Sequence, residues 1–320
     1  MAVYTSVSDD ALSALLARYA IGDPLALEPI AEGVENSNFK LETSRGRFIL
    51  TIYEKRVDAA DLPFFLALMD HLAAKAIACP VPIHDREGQS LQTLCGKPAA
   101  IVSFLEGRSP KRIDGPRCRA LGATLAGLHL AVRDFRGHRR NALSVGDWRP
   151  LFRACEASPA PLPEGLAALI GPTLDRLEAA WPGDLPAGVI HADLFPDNVF
   201  FANDHVSGVI DFYFACNDLF AYDVAICLNA WCFEPLGDYN LGKGRAFLEG
   251  YRAVRPLSVA EVEALPTLAT GAAMRFLLTR LYDWLNRVEG ALVKPKDPME
   301  YARKLAFHNA AHGPAAYGLD

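Results

Sequence analysis

His191–Ala192–Asp193–Leu194–Phe195–Pro196–Asp197–Asn198 is a polar loop between two short runs of strand-forming residues, Val189–Ile190 before it and Val199–Phe200–Phe201 after it. A third run, Val209–Ile210, leads directly into Asp211 and Phe212. β-Branched and aromatic residues interrupted by Pro, Asp and Asn read as strand, turn and strand. Residues 188–213 are therefore the β exception in a part of the chain that otherwise shows helical spacing. The plain alternative is a polar turn joining two hairpin strands.

The fixed positions of this loop match the pattern H-x-D-L-x-x-x-N of kinase catalytic loops. In an unrelated chain of this length the four positions would coincide roughly once per thousand chains. Phosphoryl transfer needs little covalent help and much positioning: one carboxylate orients the attacking hydroxyl, and an Asn with a second Asp holds Mg²⁺ on the ATP phosphates. Asp193 fits the first role, and Asn198 and Asp211 fit the second. His191 is expected to brace the loop through backbone hydrogen bonds, and Asp197 reads as loop surface.

N-terminal to the loop, Ser8 can cap a helix over 8–20 with Leu12, Leu15, Leu16 and Tyr19 at helical spacing. Strands are predicted near 26–32, 37–43 and 47–53, separated by turns at Gly33 and Ser44–Arg45–Gly46. A helix over 59–77 tolerates Pro63 in its first turn and groups Phe65, Leu68, Leu72 and Ala76 on one face. Two further strands follow near 89–94 and 98–104. Beyond about 115 the pattern turns helical, with Leu121, Leu125, Leu128 and Val132 on one face. The expected division is a nucleotide-binding lobe over 1–105 and a catalytic and substrate lobe over 106–320.

Between the first two strands, Glu32–Gly33–Val34–Glu35–Asn36–Ser37–Asn38–Phe39 is a candidate phosphate cover, its single Gly33 leaving the contacts to Asn36, Ser37 and Asn38. An ordinary Asn- and Ser-rich hairpin turn reads the same way. Ser103, Phe104 and Leu105, where a buried-type strand reaches the boundary, are candidates for pairing adenine. A strand that merely enters a loop would look alike.

A chain of 320 residues exceeds the usual single core, which favours two lobes. The net charge of −6 and the lack of a Lys/Arg stripe argue against nucleic acid as a partner. No basic leader precedes an apolar run, and no apolar run reaches the roughly 18 residues of a membrane helix, so a cytoplasmic protein without membrane contact is expected. The seven cysteines include no CxxC pair and suit reduced core thiols. His129 reads as a satisfied core histidine, Asp223 as a brace for the catalytic region, and Trp231, Phe276 and Trp284 as core packing. Arg275 and Arg280 lie five apart in a helical stretch, so at most one is expected to face the substrate.

With these motifs in place, the chain resembles the aminoglycoside phosphotransferase/choline kinase branch of the protein-kinase-like superfamily. Leu121–Gly122–Ala123–Thr124–Leu125–Ala126–Gly127–Leu128–His129 resembles that branch's helix, and His191–Ala192–Asp193 its catalytic loop. Val34 to Phe39, His191 to Phe201, Ile210 to Asp218 and Leu228 to Glu234 are similar to the homoserine kinases within it. The resemblance implies an α+β fold, with a small antiparallel-sheet N-lobe and a larger, mainly α C-lobe. It implies ATP and Mg²⁺ as cofactors and a small amino-alcohol, L-homoserine, phosphorylated on its hydroxyl for threonine biosynthesis. Tyr213, Asn217, Asp218 and Arg275, with Asp193, are the candidate substrate residues on this reading.

The chain departs from the pattern at the third strand. Thr51 stands where a phosphate-binding Lys or Arg is expected, and the 59–77 helix offers Asp61 and Asp70 but no Glu to pair with it. Lys40 or Lys55 would then reach the phosphates, or loop amides and Mg²⁺ would carry that charge. Competing readings are an aminoglycoside, choline or methylthioribose kinase, and a nucleotide-binding pseudokinase. The intact set Asp193, Asn198 and Asp211 speaks against the last.

Overall fold

The computed structural model describes residues 4–30, 36–54, 58–287 and 295–319. The chain forms two compact units: residues 1–107 with 135–139 and 207–213, and residues 108–134, 140–206 and 214–320.

The first unit holds helix α1 (Asp9–Leu16), strands β1 (Pro24–Pro29), β2 (Ser37–Thr43) and β3 (Gly46–Ile52), helix α2 (Leu62–Ala74), and strands β4 (Leu91–Leu94) and β5 (Lys97–Ser103). Its sheet is antiparallel throughout, in the order β1-β2-β3-β5-β4. β2 buries Ser37, Phe39, Leu41 and Thr43, the period-2 signature of a strand with one face on a core. That core gathers Leu12, Leu15, Leu16 and Tyr19 with Phe39, Leu41, Leu50, Ile52, Ala99 and Ile101. Ser8 caps α1 by accepting from the Ala11 amide. The predicted 8–20 helix nevertheless stops at Leu16 and the predicted 59–77 helix at Ala74, where Ala76 turns exposed to a φ of +60° instead of joining the apolar face.

In the second unit are α3 (Gly115–Ala131), α4 (Val145–Glu156), α5 (Leu166–Ala180), β6 (Ala187–Ile190), β7 (Val199–Ala202), β9 (Cys216–Leu219), α6 (Phe220–Trp231), α7 (Leu241–Val254), α8 (Val259–Leu285) and α9 (Met299–Ala310). β8 (His205–Val209) follows β7 after a turn in which Asn203 takes a φ of +57°. α8 is the axis against which α4, α6 and α9 pack, while α3 lies along α7. The last pair approaches so closely that a Cβ on Gly122 would come 2.1 Å from the Phe247 carbonyl oxygen, which only glycine allows. α6 buries all of its residues except Ala230. Trp284 is at the surface instead of in the core, 36% exposed and covered by the Arg287 guanidinium.

Among the described residues no helix is long and apolar enough to cross a membrane. All seven cysteines are free thiols, and six of them are buried.

Candidate active site

Strand β6 delivers the chain into the loop at His191, and β9 fixes β6 in place through the antiparallel pairs Val189↔Asn217 and Ile190↔Cys216. The loop turns at Ala192, whose φ of +63° costs a residue with a Cβ on the order of 1–2 kcal/mol. Surrounding bonds hold that conformation. The Asp223 carboxylate, in the first turn of α6, accepts the His191 amide at 2.8 Å and the Ala192 amide at 3.0 Å. Arg275 of α8 donates to the Ala192 carbonyl. The Asp193 amide donates to Nδ1 of the buried His191 ring at 3.2 Å, leaving that ring as a brace with its proton on Nε2.

Downstream, the Asn198 side-chain amide donates to the Asp193 carbonyl at 2.8 Å and, more weakly, to its carboxylate at 3.4 Å. The Trp231 indole donates to the Leu194 carbonyl at 2.8 Å. The backbone around Asp193 is thus held from within the loop by His191 and Asn198 and from behind by α6 and α8, the preorganisation that positioning chemistry needs.

Burial pushes the Asp223 pKa up, but the hydrogen bonds it accepts from the His129 ring and the His191 amide outweigh it and hold it below the usual carboxylate range, so the group stays ionised. His129, on α3, is fully buried with Nε2 at 3.1 Å from Asp223 and Nδ1 at 2.8 Å from the Tyr251 hydroxyl.

On β9, the Asp218 carboxylate accepts from the Asn141 amide at 2.6 Å and from the Leu219 backbone at 2.7 Å. Burial raises its pKa against those two bonds. Asn217 bridges to Arg140. Arg275 is only 1% exposed, with its guanidinium over the Phe276 ring at 4.5 Å and the Phe214 ring at 5.6 Å. The expectation that Arg275 faces the substrate is corrected: the side chain is buried and belongs to the catalytic loop's backing. Arg280 is likewise committed, to Glu300 at 2.6 Å.

In the first unit, Asp211 takes a φ of +65°, in the left-handed region like Ala192. Tyr213 packs edge-on against Tyr53 at 5.5 Å and Phe65 at 5.6 Å and donates its hydroxyl to that of Tyr53 at 3.3 Å. Tyr213 groups with this unit, whereas Asn217, Asp218 and Arg275 belong to the other.

The candidate phosphate cover needs correction at two positions. Gly33, with Glu32, Val34 and Glu35, lies outside the described residues. Ser37 is fully buried, donating its hydroxyl to Glu54 at 2.8 Å and accepting the Tyr4 and Thr5 amides, and Phe39 is in the core. The strand's alternation turns both inward, away from any ligand. Asn36 accepts the Glu54 amide at 3.3 Å, and Asn38 accepts the Thr51 hydroxyl at 2.9 Å. Thr51 is buried and takes no charge there, and Lys40 is paired with Glu28 at 3.3 Å on the exposed face instead of reaching for phosphate. Lys55 lies outside the described residues.

Asp61 and Asp70 pair with Arg139 and His84. Ser103 spends both its amide and its hydroxyl on Val81, which narrows the adenine-pairing candidates to Phe104 and Leu105. Leu105 lies against Gly208, where a Cβ would come 2.7 Å from its side chain.

Residues 26–257 match the phosphotransferase enzyme family. The chain belongs to that family. It is 62% identical over 319 residues to a homoserine kinase of Azorhizobium caulinodans, covering 100% of this chain and 99% of that one. Among solved structures it is similar to a microcompartment-associated aminopropanol kinase, with a TM-score of 0.73 and 19% identity over 98% of this chain and 99% of that chain. It is also similar to amicoumacin kinase hAmiN in complex with AMP-PNP, Ca²⁺ and Ami, with a TM-score of 0.71 and 17% identity over 95% of this chain and 92% of that chain. The fold is thus the protein-kinase-like one of the phosphotransferases, an antiparallel N-terminal sheet followed by a mainly helical remainder.

For a phosphotransferase of this family, the sequence reading missed the outer layer behind the loop. Tyr251 and Arg255 sit on and just after an unremarkable amphipathic helix and carry no local signal of a role. Asn141 stands in a loop after Arg140 and is singled out only by its contact with Asp218. Strand β9 was equally hidden, because Cys216–Asn217–Asp218–Leu219 shows no alternation.

Proposed function

We propose that the protein transfers the γ-phosphoryl group of ATP to the hydroxyl of L-homoserine, giving O-phospho-L-homoserine and ADP, in the cytoplasm. The end-to-end 62% identity to a homoserine kinase, with the loop and Asp211 intact, carries this reading. Residues 1–105 serve the nucleotide and 106–320 the acceptor and the chemistry.

The Asp193 carboxylate orients the acceptor hydroxyl and takes its proton as the oxygen bonds to the γ-phosphorus and the bond to ADP breaks. Asn198 and Asp211 are the residues that would hold Mg²⁺, which would neutralise charge on the phosphates. The donor chemistry fits: Asn198 spends its amide nitrogen on the Asp193 carbonyl, so its oxygen is the atom left to ligate, and a carboxylate oxygen completes a hard-ligand pair. Among the described residues no cluster of three or more His, Cys, Asp or Glu side chains could hold a metal. Asn36, Asn38, Thr51, Phe104 and Leu105 face the nucleotide, and Tyr213, Asn217 and Asp218 the acceptor.

ADP release measured by a coupled assay at equal Mg·ATP on L-homoserine, choline, methylthioribose and kanamycin tests the assignment. L-Homoserine is expected to lead in kcat/KM by at least about tenfold, since a site built for one polar acceptor leaves buried polar groups unpaired with another, at roughly 1–3 kcal/mol each. Another acceptor in the lead overturns the substrate, and no ADP release with any of them overturns the phosphotransfer.

A further inference from the structure

We propose that Tyr251 and Arg255 are positioning residues of the catalytic loop, acting by reinforcing the Nε2–H form of His129 that the Asp223 carboxylate requires. The proposal rests on the phosphotransfer reading of that loop. Arg255 donates from one terminal nitrogen to the Tyr251 hydroxyl at 3.1 Å and from the other to Glu261 at 2.8 Å. Glu261 is itself fixed, because its second carboxylate oxygen accepts the Ser258 amide at 2.9 Å while Ser258 caps α8. His129, Tyr251, Arg255 and Glu261 are all at least nine-tenths buried.

The direction of each bond follows from the chemistry. A guanidinium only donates, so the Tyr251 oxygen accepts from Arg255 and its own proton is left to point at His129 Nδ1, 2.8 Å away. Nδ1 then accepts, and the single proton of a neutral imidazole sits on Nε2, facing the Asp223 carboxylate at 3.1 Å. Burial holds the His129 pKa below its ordinary value, against the pull of Asp223, so the ring is neutral and has one proton to place. Stacking on Phe220, with centroids 4.6 Å apart, fixes the ring plane.

In the other tautomer the Nε2 lone pair would face Asp223 Oδ2, two acceptors at hydrogen-bond distance. That oxygen also accepts the His191 amide, and its partner oxygen accepts the Ala192 amide. Repulsion there would loosen the carboxylate from the two amides that hold the left-handed turn before Asp193. The donors running from Arg255 toward Asp223 thereby satisfy Nδ1 and reinforce the proton arrangement in which the loop is clamped.

Tyr251→Phe keeps the ring and deletes only the donor. It is expected to lower kcat for phosphoryl transfer roughly tenfold while the KM values for ATP and acceptor stay within about twofold, the order seen when a supporting hydrogen bond behind a site is removed. The ¹⁵N shifts of the His129 ring, recorded without substrate, are expected to report Nε2–H with a hydrogen-bonded Nδ1 in the wild type, and an Nδ1 resonance displaced to that of an unbonded ring nitrogen in Tyr251→Phe and weakened in Arg255→Met. Arg255→Lys retains a donor and is expected to restore most of the wild-type pattern. A wild-type ring protonated on Nδ1, or a Tyr251→Phe ring with unchanged shifts, overturns the proposal. Because the shifts need no acceptor, an incorrect substrate assignment leaves this readout standing.

Discussion

The side-chain amide of Asn198 reaches back across the loop to the Asp193 carbonyl, 2.8 Å away, so the proposed metal ligand and the proposed base are one hydrogen-bonded unit. Asn198→Ala removes both the tie and the ligand. Turnover is expected to fall by about 10–100-fold, with half-saturating Mg²⁺ displaced upward, as read from ADP release across a Mg²⁺ titration. Asn198→Asp keeps an oxygen ligand but cannot donate, and it is expected to be impaired as well; wild-type turnover in that variant would show the tie to be idle.

Asp193→Asn preserves the size of the side chain and removes its basicity. Nucleotide affinity is expected to stay near wild type while kcat drops at least about a hundredfold, the usual worth of a positioned proton acceptor. Fluorescent-nucleotide titration and single-turnover phosphorylation separate the two effects. A variant with undiminished turnover would remove Asp193 from the chemistry.

Arg275→Met takes a buried donor away from the Ala192 carbonyl and leaves it orphaned, at a cost of about 1–3 kcal/mol. Thermal unfolding is expected to shift down and kcat to fall, with the KM for the acceptor nearly unchanged. A selective rise in that KM at intact stability would return Arg275 to the substrate.

Much of this was legible in the residues, for reasons that can be named. The fixed spacing from His191 to Asn198 located the loop because positioning chemistry tolerates few arrangements, and β2 fell on residues 37–43 because its burial alternates strictly. The alternation also carried the error: Ser37 and Phe39 share a face with Leu41, a parity that the polar look of the Asn–Ser–Asn segment obscured. Arg275 could not be assigned from sequence, since only the tertiary structure brings a residue of α8 to the carbonyl of Ala192.

The end of α2 shows a similar limit. The Ile77 amide bonds the Leu72 carbonyl and the Ala76 amide that of Ala73, a Schellman cap with alanine in the position where glycine normally announces it. Ala76→Gly is therefore expected to stabilise the protein by about 0.5–1 kcal/mol in urea unfolding, by relieving the Cβ penalty at φ of +60°. A loss of stability would mean that the gain in unfolded-chain entropy dominates instead.

His308 supplies a pH dependence. Its buried ring bonds the Tyr317 hydroxyl at 2.9 Å and Asn229 at 3.0 Å, and burial, aided by the charge of Lys304, pulls its pKa from 6.5 to about 3. The folded value lies below the unfolded one, so the unfolded chain takes up the proton first on acidification. Its contribution is complete above the unfolded value of 6.5 and is lost progressively toward about 3, by at most roughly 1.4 kcal/mol per pH unit. Urea midpoints between about pH 7.5 and 5 are expected to fall with acid, and His308→Gln to flatten the slope. An unaltered slope would place the proton uptake on other groups.

The first unit is not contiguous in the chain: Asp61 finds Arg139, and Tyr53 and Phe65 find Tyr213, from segments that arrive well after residue 107. On the ribosome the five-stranded sheet can therefore pair early, yet its last aromatic and ionic partners emerge only with residues 135–139 and 207–213. At elongation rates of roughly 5–20 residues per second the nascent sheet waits several seconds with Tyr53 and Phe65 lacking Tyr213, an interval in which chaperones or premature termination would act on it.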